Sequence, residues 1–179
     1  MLKTLKFLLA LVVAFVLMLC FRAVVLTVYT IDGNGLEPLL VKGDRVLVNR
    51  WSYGLRVGTT GGLFSYGRIG KRLPQRGDIV AFENPRDNTQ ILVCRCAALP
   101  GDSIIMGTQA IEVPGVANCA NADYYWMEAI GNSNATDSRQ LGFIAEELII
   151  GRVIMILYSH NTQEPFWKGW RRNRFLLPM

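Results

Sequence analysis

Four cysteines and a single histidine are the side chains here with the widest chemical range. Cys94 and Cys96 stand two residues apart, Cys119 stands alone, and Cys20 lies in an apolar run. No Cys-x-x-Cys pair exists and His160 has no second histidine near it, so a zinc site lacks its ligands and no metal or other cofactor is expected. Cys94 could serve as a nucleophile only as a thiolate, which needs a base beside it. His160 is the one candidate for that base, and it sits on a separate strand-like run. The plainer reading of Cys94 is a buried apolar residue or half of a disulfide, and the plainer reading of His160 is a surface residue at a strand end. A different stretch has the shape of a reactive loop without its reactive group. TIDGNGLEPLL, residues 30–40, follows an apolar run and carries two glycines and a Glu-Pro, yet after Thr30 it has no Ser, Cys, Lys or His.

These residues need elements to hold them. From Phe7 to Val28 the sequence is apolar apart from Arg22, and 22 residues of helix would reach roughly 33 Å, about one bilayer core. A cleaved signal peptide fits poorly, because no Ala-x-Ala pattern follows. A lipidation site at Cys20 fits poorly too, because Leu19 is bulky. An uncleaved anchor is expected, with Lys3 and Lys6 holding the N-terminus in the cytoplasm and Arg22 reaching for the outer headgroups. Cys94, Cys96 and Cys119 would then lie outside, where disulfides persist; one bridge and one spare thiol are expected, with the pairing open. Beyond the anchor, short β-type runs recur: 44–50, 78–84, 90–99, 102–107 and 148–159. Gly43-Asp44, Gly77-Asp78 and Gly101-Asp102 stand at the mouths of three of them, as turn residues should. The glycine-rich segment 54–70 reads as a flexible excursion. The expected fold is mainly β: a transmembrane helix within residues 1–28, then an extracytoplasmic antiparallel β domain over 29–179.

The formal net charge is +5. The basic residues are dispersed except in WKGWRRNRF, residues 167–175, where alternating Trp and Lys/Arg suits an anionic lipid interface as well as it suits a solvated strand. Nucleic acid is not an expected partner of an exported domain.

Four stretches, in order, resemble the type I signal peptidases, the membrane-anchored Ser-Lys endopeptidases of family S26. They are the anchor end with residues 30–54, RGDIVAFENP (76–85), VCRCAALPGDSI (93–104), and NATDSRQLGFIAEELIIGRV (134–153). The tail GWRRNRF also resembles the family's closing basic-aromatic strand. The resemblance implies a serine nucleophile at the position of Gly35 and a supporting oxyanion serine at that of Gly33. It implies a general-base lysine at the position of Cys94 and a lysine-orienting serine at that of Ala135. None of these four side chains is present. AIGN (129–132) stands where the family carries Gly-Asp-Asn-Arg. Scaffold positions persist: Arg95, Asp137 and Arg139 correspond to an ion-pair cluster behind the site, while Pro38, Leu99-Pro100-Gly101-Asp102 and Gly142-Phe143 shape turns and packing.

The resemblance therefore implies a catalytically inactive, single-pass relative in a bacterial inner membrane. Its expected partners are membrane lipid and either preprotein signal peptides or an active signal peptidase that it scaffolds or regulates. The alternative expectation is an active signal peptidase with a rewired site. The Asn134-Ala135-Thr136 sequon is read as accidental in a bacterial chain.

Overall fold

The structure, a computed structural model, describes residues 2–33, 35–58, 66–118, 120–131, 135–161, 163–165 and 167–178, with backbone only at 2, 3, 5, 20–24, 177 and 178. Helix α1 (Leu2–Val25) is followed directly by β1 (Leu26–Thr30), then β2 (Asp44–Asn49), β3 (Leu55–Val57), β4 (Gly67–Ile69), β5 (Ile79–Asn84) and β6 (Asp87–Ala98). Next come β7 (Ser103–Met106), β8 (Gln109–Glu112), β9 (Tyr124–Glu128), the short helix α2 (Ser138–Leu141), β10 (Ile144–Ala145), β11 (Ile149–Ser159) and β12 (Leu177–Pro178). The main sheet runs β1-β2-β11-β5-β6-β9-β10, with β12 also on β11, and its pairings are antiparallel. The β domain is thus as expected.

The apolar run divides differently from the expectation. The helix stops at Val25, and Leu26–Thr30 pairs with Asn49–Arg45 of β2. The β-branched sequence at 24–28 favours a strand once a partner is available. Among the described residues, no helix is long and apolar enough to cross a membrane.

The three Gly-Asp turns share one construction. Gly43, Gly77 and Gly101 have φ of 92°, 92° and 85°, which glycine adopts without Cβ strain. Asp44, Asp78 and Asp102 each take a backbone N–H three residues back, from Val41 (2.9 Å), Gln75 (3.0 Å) and Leu99 (2.6 Å). An arginine reaches each carboxylate from elsewhere in the chain: Arg174 on Asp44, Arg152 on Asp78 and Arg76 on Asp102. Besides a small cluster of Ala98, Val113 and Trp126, two larger core clusters lie on this frame. Ile31, Leu36, Leu40, Val46, Val48, Val153 and Ile156 form one, while Tyr53, Phe82, Cys94, Cys96, Tyr125, Met127 and Ile144 belong to the other. Gly151 lets β11 cross β2 closely, since a Cβ there would lie 2.3 Å from the Asn49 carbonyl oxygen.

Two expectations need correction. The arms of the excursion 54–70 are not loose: β3 and β4 pair, and Arg56 and Arg68 pin them to the domain. The Arg68 side chain is 1% exposed and donates to the carbonyls of Gly54, Glu146 and Ile149 beside the Glu146 carboxylate. Buried cations survive only with such saturation. The tip, 59–65, lies outside the described residues. The tail 167–175 is also no continuous strand; it makes a bridge from Trp170 to His160 and a tight turn at Arg172–Arg174 before β12.

Candidate functional site

The loop after β1 is fixed at both ends. Ile31 donates to the Asp44 carbonyl and accepts from Gly43, each at 2.8 Å, and Leu36 and Leu40 are buried. In the middle, the Gly35 carbonyl accepts from Ile130 (2.8 Å) and Gly131 (3.0 Å). Gly131 must be glycine, because a Cβ would meet the Glu37 carbonyl oxygen at 2.0 Å. The Arg174 guanidinium donates to the Leu39 carbonyl at 2.6 Å while paired to Asp44. One basic residue of the tail is therefore a clamp on this loop, which the sequence did not suggest.

Opposite the loop stands β6. One edge of it pairs with β5 along its length, while the other meets β9 only at Arg95, Cys96 and Ala98. Among the described residues, the outer edge of β6 up to Cys94 and the outer edge of β1 have no strand partner. Between them lies a groove of about 730 Å³, walled by residues 29–33, 35 and 36 and by Asp87 and residues 89–94, and floored by Ala129, Ala135 and Thr136. The expected site residues Gly33, Gly35, Cys94 and Ala135, which are distant in sequence, all line it. Asn34 lies outside the described residues.

The four positions are not equivalent in space. A Cβ on Gly33 would meet nothing within 4 Å. A Cβ on Gly35 would lie 2.8 Å from the Ala135 Cβ and 3.3 Å from that of Ala129, so any side chain there requires the floor to move. Cys94 faces the core, 3% exposed, with its Sγ donating to the Thr136 carbonyl at 3.8 Å. Burial, aided by the Asp137 carboxylate, pushes its thiol up to about 12. Such a group is protonated and inert at neutral pH. His160 is no partner for it. That ring stacks edge-on against Trp170 at 5.3 Å, at the tail, and does not line the groove. Among the described residues, no histidine or lysine lines the groove beside Cys94. Cys94 and Cys96 are both free thiols, and Cys119 lies outside the described residues. The bridge expected among Cys94, Cys96 and Cys119 needs at least one of these two thiols, so it is not formed.

The scaffold positions separate in the same way. Asp137 caps α2 and accepts from the Ala129 and Arg139 amides (3.1 and 2.9 Å) and from the Arg139 guanidinium at 2.5 Å. Burial works to raise its carboxyl, but these bonds outweigh it and hold the pKa below the ordinary carboxylate value. This pair ties residue 129 to 137 and so fixes the groove floor. Arg95 does not join it: it lies opposite Glu128 in register and forms no ion pair among the described residues. Pro38 lies in the clamped loop, Leu99–Asp102 form the third Gly-Asp turn, and Gly142 ends α2 at φ 81° with Phe143 edge-on to Trp126 at 5.5 Å. The contributions of Ala129, Thr136 and the outer edge of β6 had no signal in the sequence, because small residues and bare backbone look alike in any loop. No group of acidic, Cys or His side chains among the described residues could hold a metal ion.

Comparison with known proteins accords with this architecture. Residues 4–130 match the sequence profile of the family described as signal peptidase, peptidase S26. Signal peptidase I of Buchnera aphidicola subsp. Schizaphis graminum is 34% identical over 90 residues, covering 50% of this chain and 27% of that protein. Signal peptidase I of Pseudomonas fluorescens is 31% identical over 93 residues, 49% of this chain and 30% of that protein. Mitochondrial inner membrane protease subunit 1 of Mus musculus is 33% identical over 130 residues, 71% of this chain and 66% of that protein. The match thus spans less than a third of these two bacterial relatives and about two thirds of the mouse one.

Proposed function

Because the chain belongs to the S26 signal peptidase family, we propose that it is a non-cleaving member that holds an extended peptide segment beside a membrane. The observation carrying this reading is the groove itself, which is lined at the four family positions by Gly33, Gly35, Cys94 and Ala135 and lies between two strand edges that have no partner among the described residues. Free edges take an extended chain through backbone hydrogen bonds, with alternate side chains entering the groove. Hydrolysis would additionally need a nucleophile and a base. In the subtilisin triad, loss of either core member alone costs on the order of 10⁶ in kcat. The ligand is a segment of an exported preprotein or of an active signal peptidase.

The same reading makes residues 7–25 a single-pass anchor in a bacterial inner membrane, with the N-terminus cytoplasmic and the β domain outside. Its support is the apolar sequence and the Lys3 and Lys6 that precede it.

The test uses the full chain in bilayers with a signal-peptide-bearing preprotein and a photo-crosslinker at position 33, where space is open. Crosslinks to the preprotein without cleavage are expected. Turnover at the rate of an ordinary signal peptidase, or crosslinks only from surfaces away from the groove, overturns the reading.

A further inference from the structure

A second cavity, of about 1100 Å³, adjoins the groove along β6 and shares no lining residue with it. Residues 91–94 of β6 line the groove, whereas residues 95–98 line this cavity, together with β7, Trp126 and Glu128. Arg76, Arg95 and Arg139 also line it, and two of the three are taken. Arg76 holds Asp102 and Arg139 holds Asp137. Glu128 accepts the Trp126 indole N–H at 2.9 Å. Arg95 lies opposite Glu128 in register, yet it makes no ion pair and no side-chain hydrogen bond among the described residues. Arg68 shows the contrast: three carbonyls and a carboxylate saturate it. Arg95 is half-buried with five donors and no acceptor, a cost that a bound anion would offset.

Charge and shape narrow the ligand. Asp102 and Asp137 neutralise the other two arginines, so one positive charge is open, with Glu128 nearby. That balance suits a singly charged carboxylate, whose two oxygens match the guanidinium fork. A doubly charged phosphate would be repelled more strongly by Glu128 and Asp102. Beside the charge the wall is apolar and extended. Ile104 packs against the Ala98, Val113 and Trp126 cluster, while Ile105 is 83% exposed and Met106 39%. β7 pairs with β8 and with no other strand among the described residues, so one of its edges can receive another extended chain. We propose that this cavity is a second ligand site, which takes an apolar peptide segment along β7 and holds a carboxylate of that segment on Arg95. The carboxylate is a chain terminus or an acidic side chain, which share the chemistry and are told apart below.

The experiment uses the full chain in phosphatidylcholine nanodiscs and reads the anisotropy of rhodamine-labelled peptides. Gly-Ser-Val-Ser-Ile is titrated with a free and with an amidated C-terminus, beside amidated Gly-Ser-Val-Glu-Ile and an amidated peptide with phosphoserine in place of that Glu. A peptide with a carboxylate should bind roughly tenfold tighter than the neutral amide, and less tightly as salt rises. Preference for the free terminus or for the internal Glu identifies the source. Arg95→Gln should abolish the preference and leave the urea midpoint unchanged, because Arg95 bonds to nothing that would be lost. Should that variant fail to fold, a benzophenone photo-crosslinker at position 105, with Arg95 in place, gives the same answer: capture of the carboxylate peptide and not of its amide. Equal affinity for the neutral amide, tighter binding of the phosphoserine peptide, or a preference that survives Arg95→Gln overturns the proposal. Capture from position 33 and not from 105 overturns it too, while leaving the groove reading in place.

Discussion

The three Gly-Asp turns and the groove are built from similar residues and have opposite characters. At each turn the glycine carries a positive φ, and the aspartate that follows is bonded to a backbone amide and an arginine. In the groove, Gly33, Gly35, Cys94 and Ala135 carry no polar side-chain link to one another, and the bonds that hold the loop come from carbonyls and from Arg174. The turns need their side chains for the fold. The groove keeps its shape without any at the four positions where the family resemblance places chemistry. The residues at those four positions can therefore vary while the fold stays intact.

The largest effects should come from the turns. Asp44 is fully buried and Asp78 is 7% exposed. Asp78 also accepts from the Tyr53 hydroxyl at 2.8 Å. Asp44→Ala leaves Arg174 without its carboxylate and Val41 without an acceptor, and should cost about 3–5 kcal/mol. Asp78→Ala should fall in the same range, and Asp102→Ala should cost least, because its Arg76 partner lies in solvent. Urea midpoints at constant m would rank the three. Equal losses at all three would show that burial is not what separates them.

The groove comes next. Gly35→Ser should cost about 1–3 kcal/mol by overpacking against Ala135. Ala135→Gly removes the nearer of the two contacts, so the same serine should cost less in that background. Additive costs would mean that the two positions do not touch. The same crowding bears on restoring chemistry. Gly35→Ser with Cys94→Lys should give no preprotein cleavage, since the serine has no room beside Ala135 and the lysine enters a core position with no carboxylate bonded there.

Much of this was legible in the sequence, and the exceptions have physical causes. Strands β2, β5, β7 and β11 follow from short apolar runs between turn residues. β9 was missed because Tyr124–Glu128 carries no alternation, being buried through its middle. β1 was hidden in the apolar run, because membrane and sheet select the same β-branched residues. The four groove positions could be found through the family pattern, but their convergence depends on β1 and β6 meeting across the curled sheet, which no local signal encodes. That Arg95 stands apart from the Asp137–Arg139 pair did not follow from the family pattern, and the burial of Arg68 could not be guessed from a glycine-rich stretch.

A pH series tests the core behind the groove. The Cys94 and Cys96 thiols are pushed up to about 12, chiefly by burial, against an ordinary value of about 8.5. Above roughly pH 9 the unfolded thiols lose their protons while the folded ones keep them. The unfolded state then binds fewer protons, so stability falls as pH rises towards 12 and is flat below pH 8 from these groups. Burial also raises the hydroxyls of Tyr53 and Tyr125, which steepen the fall above pH 10. Unfolding free energies between pH 8 and 11 should decline, and less steeply in Cys94→Ala. A slope unchanged by that substitution would place the thiol in water.

The smallest effect is expected at the other glycine. Gly33→Ser adds a hydroxymethyl group to a position with nothing within 4 Å of its Cβ, at a residue outside the positive-φ set. Its effect on stability should stay within about 0.5 kcal/mol, the range of unconstrained surface changes, against the larger loss for Gly35→Ser two residues later. Thermal or urea unfolding of the two single variants measures the difference. If Gly33→Ser costs as much as Gly35→Ser, the groove is closed at its mouth, and an extended peptide has no way in. If the gap holds, the loop has one position pressed onto the floor and one facing free volume, and a bound segment would meet the chain first at Gly33.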